Sequence, residues 1–260
     1  MCTVTFIARR NGYCLGMNRD EKLTRPTAIP PRMQSVKGRA VLCPSEPGGG
    51  TWIALNDAAI TLALINWYSV EKRVQRDPIT RGEVVKSLSS TVSPRDTDAE
   101  LRRLPLERIN PFRLIGIFPT RKEVIEWRWN LKRLLRKKHQ WKTQQWISSG
   151  FDEPTAQRVR GRTFQRALRE NSAGRPDWLR RLHQSHAPRC GPFSTCMHRT
   201  DAATVSYTEI AVSERRAIID YQAGPPCKSV ALQKIIEMQV GGKASGAGIV
   251  AGNQVPEIVG

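Results

Sequence analysis

The chain of 260 residues has no apolar run near the roughly 20 residues that a bilayer-crossing helix requires. Its start lacks the charged segment and apolar stretch of a secretory leader, so secretion is not expected. No Cys-x-x-Cys pair is present. The six cysteines, at 2, 14, 43, 190, 196 and 227, are too sparse for the disulfide framework of a small secreted domain. They read as reduced thiols of a cytoplasmic protein. There is no internal repeat. Acidic residues are scarce: 23 Asp and Glu stand against 42 Lys and Arg, a net charge of +19. That imbalance is local, because residues 101–190 hold 22 basic and 7 acidic side chains and so carry 15 of the 19 net positive charges. Any acidic partner would meet the middle of the chain.

What is present begins with strands. Residues 3–9 and 13–19 flank Asn11-Gly12, a strong hairpin signal because both residues tolerate positive φ. A proline-rich loop follows at 25–32. Two runs apolar on both faces, 51–55 and 60–67, predict strands covered on both sides. The middle reads as helical. Thr120 and Glu123 match a capping box, with Val124, Trp127, Leu131 and Leu134 at helical spacing behind them. Further helices are expected from Asp152, with Pro154 in the first turn, and over 176–183. Strands are expected at 193–198, 204–212 and 217–222, then a helix after Pro225-Pro226 and a disordered Gly/Ala-rich tail from Gly241. Doubly buried strands, then helices, then strands predict an α+β layered sandwich.

Cys2 puts a nucleophile at the edge of the chain. Removal of Met1 would leave its thiol and a free α-amine on one residue, with pKa values of about 8.5 and about 8 that allow proton exchange near neutrality. With Asn11-Gly12 as the turn, Cys2 lies across from Glu21 and Thr3 across from Asp20. The thiol then shares a face with Met17, Arg19 and Glu21. Arg19 is expected to favour the thiolate, and Asp20 to hold the amine.

The stretch "MCTVTFIARRNGYCLGMNRDEKLTRP", with Asn18-Arg19-Asp20-Glu21, resembles the NRDE family, also called the transport and Golgi organisation protein family. "GGTWIALN", "LALINW", "TRGEVV" and "HRTDAATVSYTEIAV" resemble it too, so the likeness spans Cys2 to about Gly224. It implies the N-terminal-nucleophile hydrolase fold, a four-layer αββα sandwich over residues 1–227, with 228–260 as a C-terminal helix and tail. A more distant similarity is to the bile salt hydrolase and penicillin V acylase group, whose Gly-x-Asn-x-Asp stretch is matched by Gly16 to Asp20. It implies Cys2 as nucleophile, Asp20 near its amine, Asn18 in the same motif and Asn66 as an oxyanion-hole donor. Met17 stands where the acylases carry Arg, and Arg19 is the substitute. Arg199 is the candidate for their late Arg. The function implied is hydrolysis of a non-peptide acyl amide through a thioester at Cys2, without cofactor. The alternative is a carrier or chaperone for haem or an acyl lipid, with Cys43-Pro44 as a thiolate context for haem iron.

Two further signals have plainer readings. His183, His186, Cys190 and Cys196 offer metal-ligating atoms, but their spacing matches no common zinc pattern, and no metal is expected. Trp127, Trp129, Trp141 and Trp146 interleave with cations as in single-strand nucleic-acid binders. A buried Trp stripe with a solvated basic face explains them as well, so nucleic acid is not the expected partner.

Overall fold

In the computed structural model, residues 2–229 and 232–241 are described. The strands are β1 (Cys2–Arg9), β2 (Gly12–Lys22), β3 (Ile29–Val36), β4 (Arg39–Ser45), β5 (Ile53–Asn56) and β6 (Thr61–Asn66), followed by helices α1 (Gly82–Leu88) and α2 (Pro94–Arg103). Then come β7 (Phe112–Phe118), β8 (Glu123–Trp129), β9 (Leu134–His139) and β10 (Gln144–Ser148), helices α3 (Glu153–Ala167) and α4 (Pro176–Gln184), and β11 (Ala202–Val212), β12 (Arg216–Ala223) and β13 (Leu232–Gln239). They form two sheets, ordered β10-β1-β2-β11-β12-β13 and β3-β4-β5-β6-β7-β8-β9.

Three apolar clusters show how the layers stack. Val4, Phe6, Tyr13 and Leu15 of the first sheet share a cluster with Ile53, Leu55, Ala63 and Ile65 of the second, so the sheets pack face to face. On the far side of the second sheet, Leu62, Leu64 and Trp127 pack with Val84, Val85 and Leu101 of α1 and α2. On the far side of the first, Ile7 and Cys14 pack with Phe164 of α3 and Trp178 and Leu182 of α4. Helix, sheet, sheet, helix: the chain is an α+β four-layer αββα sandwich. Strands buried on both faces follow from this layering, which is why 51–55 and 60–67 lack alternation.

The capping-box helix is not there. Pro119–Arg121 is a single 3-10 turn, Lys122 adopts a left-handed φ of 47°, and Glu123 opens β8. Successive residues of β8 go to opposite sides, with Val124 in the inter-sheet cluster and Ile125, Trp127 and Trp129 beneath the helices. The 124, 127, 131, 134 spacing came from a strand, a turn and another strand. β-Branched and aromatic content favours the pleated conformation here. Asn130 then turns the chain, its side-chain oxygen accepting from the Lys132 and Arg133 backbone N–H groups at 3.0 and 2.8 Å. The helix expected after Pro226 is also a strand, β13, paired along β12. Residues 193–198 form no strand, only a bridge from His198 to Ala203. The tail expected to be disordered lies, beyond Gly241, outside the described residues.

The basic middle is dispersed by this folding. Arg136, Lys137 and Lys138 lie on β9, an exposed edge strand, where cations discourage pairing with another chain. Trp127, Trp129 and Trp146 are buried and present no stacking platform. One acid anchors the basic residues inward. Glu126 is fully buried, and Arg113, Arg128 and His139 contact it at 2.6, 2.8 and 2.8 Å. Burial opposes its ionised form, but the hydrogen bonds from His139, Arg128 and Arg113 outweigh it and hold the carboxyl far below the ordinary range.

Glu126→Gln is expected to cost about 3 kcal/mol in denaturant unfolding, the low end for a broken buried pair because Arg128 reaches water. A folded-state pKa below the unfolded one gives stability that is complete above about pH 4.3 and lost as pH falls through the folded value. The gap between wild type and variant should therefore hold constant from about pH 7 to about pH 5 and narrow below about pH 4. A gap independent of pH down to acid unfolding would contradict this assignment.

Candidate active site

Cys2 opens β1 on the inner face, in the cluster that holds Val4 and Phe6, and pairs across the ladder with Arg19. The expected partner was Glu21, so the register is two residues out. The turn residues are Arg10 and Asn11, and Gly12 already belongs to β2 with φ +131°. A Cβ on Gly12 would lie 2.0 Å from the Val212 carbonyl oxygen, so this glycine admits β11 alongside. A slip of two preserves the faces, whereas a slip of one would have reversed them.

The Cys2 thiol borders an open cleft of about 780 Å³ whose lining includes Arg19, Glu46, Trp52, Asn66 and Arg81. One wall depends on Gly82. A Cβ there would lie 2.8 Å from Gly50 Cα and 2.9 Å from Thr51 N, and Thr51 N–H donates to the Gly82 carbonyl at 3.2 Å. Only glycine lets the start of α1 close against the loop after β4.

The Arg19 guanidinium is already engaged. It bonds Glu46 at 2.7 Å, lies 3.6 Å from Glu21 and stacks 4.4 Å over the Trp52 ring. Burial pushes the Cys2 thiol above its ordinary value, Asp20 adds to this, and Arg19 only partly offsets it. Arg19 pulls the thiol in the expected direction, toward the thiolate, but desolvation of a residue only 7% exposed outweighs a cation shared with two carboxylates.

Asn66 also lines the cleft, at the end of β6, where its amide donates to the Tyr68 hydroxyl at 2.7 Å. Asp20 borders it as well, but its carboxylate is held from the helix side. Arg160 of α3 bonds it at 3.1 Å with both side chains fully buried, and the Thr204 hydroxyl donates to it at 2.7 Å. Arg160 also reaches Thr3 Oγ1 at 2.8 Å and the Pro192 carbonyl at 3.3 Å.

The structure does not bring Asn18 or Arg199 into the cleft. Alternation turns Asn18 to the outer face, where its amide donates to the carbonyls of His183 and Thr195, both at 2.9 Å. It is a tether for α4 and the loop after it. Arg199 forms a two-point bridge to Asp201 at 2.9 and 2.7 Å and lies over Phe151. His183 is buried with Nε2 3.0 Å from Thr5 Oγ1, and burial, aided by the Arg160 charge, lowers its pKa to about 3. It is a neutral core residue. Cys43 sits in the apolar cluster beneath α1 with Val84 and Val85, so its thiol presents no open face to a haem and does not fit that role.

Three residues of this region escaped the sequence reading. Arg81 and Trp52 lie in "TRGEVV" and "GGTWIALN", which carried the family likeness without being assigned roles. Arg160 had a readable signal: it falls on the stripe of Ala156, Phe164 and Ala167, and a cation on the buried face of a helix needs a buried acid.

The four-layer αββα sandwich is a fold of the N-terminal-nucleophile hydrolase type. In fold the chain is similar to penicillin V acylase from Agrobacterium tumefaciens, with a TM-score of 0.54 and 12% identity over 92% of this chain and 86% of that one. It is similar also to the C2A mutant of conjugated bile acid hydrolase from Clostridium perfringens, with a TM-score of 0.50 and 12% identity over 90% and 92%. The chain belongs to the Transport and Golgi organisation 2 family, which its residues 1–151 match. No curated protein matches it by sequence. Among the described residues, no helix is long and apolar enough to cross a membrane.

Arg160→Met should lower unfolding stability by about 3–5 kcal/mol, since it breaks a buried ion pair by removing one member. The midpoint of a denaturant melt should fall with little change in slope. A loss under about 1 kcal/mol would show that water reaches Asp20 and that the pair is not a buried one.

Proposed function

We propose that the protein is an amidohydrolase whose nucleophile is Cys2, and that its substrate is an acyl amide bearing an anionic group. The observation that carries the reading is a single cleft bordered by Cys2, Asn66 and Arg81. The family and the N-terminal-nucleophile hydrolase-like fold support this reading.

The raised thiol makes Met1 removal the activating event. A free α-amine on Cys2 accepts the thiol proton as the sulfur attacks the amide carbonyl, and later gives it to the departing amine. Asp20, clamped by Arg160 and Thr204, orients that amine. The oxyanion formed on the carbonyl takes a hydrogen bond from the Asn66 amide, turned from Tyr68. Expulsion of the amine leaves a thioester on Cys2, and water attacking it releases the acid and restores the thiol.

Arg81 supplies the substrate preference. Burial draws its pKa below the ordinary arginine value, against the opposing pull of the Tyr68 phenol. It donates to the Pro111 carbonyl at 3.3 Å and, unlike Arg19, forms no ion pair among the described residues. A half-satisfied guanidinium on a cleft wall suits a carboxylate in a forked geometry. N-acyl amino acids have both the amide and that carboxylate.

Intact-mass analysis should find Met1 removed, and a panel of N-acyl amino acids should show turnover with an acyl group trapped on Cys2. Cys2→Ala should abolish turnover. Asn66→Ala should lower kcat by about a hundredfold to a thousandfold with little change in KM. Asp20→Asn should fall between these. Arg81→Ala should raise KM for anionic substrates more than for the matching neutral amides. Turnover surviving in Cys2→Ala, or stoichiometric binding of acyl amides without turnover, would replace the hydrolase by another catalyst or by a carrier.

A further inference from the structure

The loop between α4 and β11 supplies three ligating side chains and the turn after β12 brings up a fourth from 29 residues further on. His186, Cys196, His198 and Cys227 place their ligand atoms all within 4.8 Å of one another. His198 Nε2 is 3.6 Å from Cys196 Sγ and 3.3 Å from Cys227 Sγ, and the His186 and His198 rings meet edge to face at 5.1 Å. His186 Nε2 is buried with no hydrogen-bond partner. The candidate set read from the sequence shared only His186 and Cys196 with this one; Cys190 is exposed and His183 is bound to Thr5.

We propose that His186, Cys196, His198 and Cys227 bind one tetrahedral divalent transition-metal ion of the zinc class. Ligand distances of about 2.3 Å for sulfur and about 2.0 Å for nitrogen put the sulfur-to-nitrogen edges of a tetrahedron near 3.5 Å. The two measured edges bracket that value. Hydrogen bonding alone leaves the cluster short: the lone pair of one ring nitrogen accepts from only one of the two thiols beside it, and the second ring has a buried nitrogen with no donor. A cation resolves both deficits. Two thiolates and two neutral imidazoles around a divalent ion give a neutral, fully coordinated site, and each thiol releases one proton on binding. An Fe2S2 cluster would hold two ligand pairs apart on separate irons, whereas these atoms converge on the space of one ion.

The backbone pre-forms the site. Cys196 N–H donates to the Ser185 carbonyl at 3.0 Å and His198 N–H to the Gly191 carbonyl at 3.2 Å. Met197, between the two ligands, exchanges hydrogen bonds with Thr204, its N–H reaching Oγ1 at 2.8 Å and its carbonyl accepting from Thr204 N–H at 2.9 Å. Gly224 N–H donates to the Val205 carbonyl at 2.8 Å and starts the turn that delivers Cys227. With four protein ligands no position stays open for substrate, so the ion is structural: it fastens the loop after α4 to the turn after β12.

The test uses the full chain, purified under reducing conditions and equilibrated with zinc, then freed of loose metal by gel filtration. Elemental analysis should find about one zinc per chain. Replacement by cobalt(II) should give the intense visible bands of a tetrahedral ion and a near-ultraviolet thiolate charge-transfer band. Cys227→Ser and His186→Ala should each weaken zinc binding by at least a hundredfold, beyond the usual cost of losing an outer partner. Cys190→Ser and Cys2→Ala should keep one zinc per chain, separating this site from the cleft. The wild-type cobalt spectrum keeps the proposal testable even where a ligand variant does not fold. An octahedral cobalt spectrum, no retained zinc, or a Cys196–Cys227 disulfide persisting under reductant would overturn it.

Discussion

The buried pair of Asp20 and Arg160 is the contact through which the layers around Cys2 are held in place. Two opposite charges with no exposed surface are stable together only when each finds its remaining hydrogen-bond partners. Here those partners are the structure itself: Thr3 from β1, Thr204 from β11 and the Pro192 carbonyl from the loop after α4. Satisfying one guanidinium and one carboxylate therefore fixes α3, the first hairpin and β11 against each other. Since β1 begins at Cys2, the same contact sets where Cys2 stands.

The hairpin that bears these residues divides its chemistry by face. Period-two alternation sends Cys2 and Arg19 inward, to the cleft, and Asn18 and Asp20 outward, to the helices. A motif of four consecutive polar residues is thus two half-motifs with different tasks. The inward half meets aromatic and acidic groups from the loop after β4. The outward half bonds to α3, α4 and the segment leading to β11. Neighbours in sequence act together here only through the strand between them.

That division explains what the sequence could reveal. The first hairpin, the doubly buried strands, α3 with its Asp152 cap and α4 were readable because each depends on local signals: turn residues, apolar runs, a capping side chain. The β8 and β9 strands were read as one helix because Leu131 and Leu134 fall, by the length of a turn, where helical spacing wants apolar residues. Register in the first hairpin was missed because Gly12, which Asn11-Gly12 marks as a turn residue, is in fact paired in β2 with the Val212 carbonyl of β11 packed closely against it. The role of Asn18 was missed because a motif names residues and not faces. The four-ligand cluster was half seen, since Cys227 lies 29 residues from His198 and only the strand order brings them together.

Layers and loops differ in what a shared fold transmits. The sandwich needs only layers of apolar residues of suitable size, which many sequences supply, so likeness persists at 12% identity. The cleft is different, because its walls are single side chains on loops: Glu46 and Trp52 after β4, Tyr68 after β6, Arg81 before α1. Trp52 also packs in the inter-sheet cluster, but the others are free to change without disturbing a layer. Position of Cys2 is therefore a property of the fold, while the charge lining the cleft is a property of this chain. In this cleft Arg19 is neutralised by Glu46 and Glu21, and Arg81 forms no ion pair among the described residues. Of these two cations, Arg81 is the one left to distinguish an anionic ligand from a neutral one.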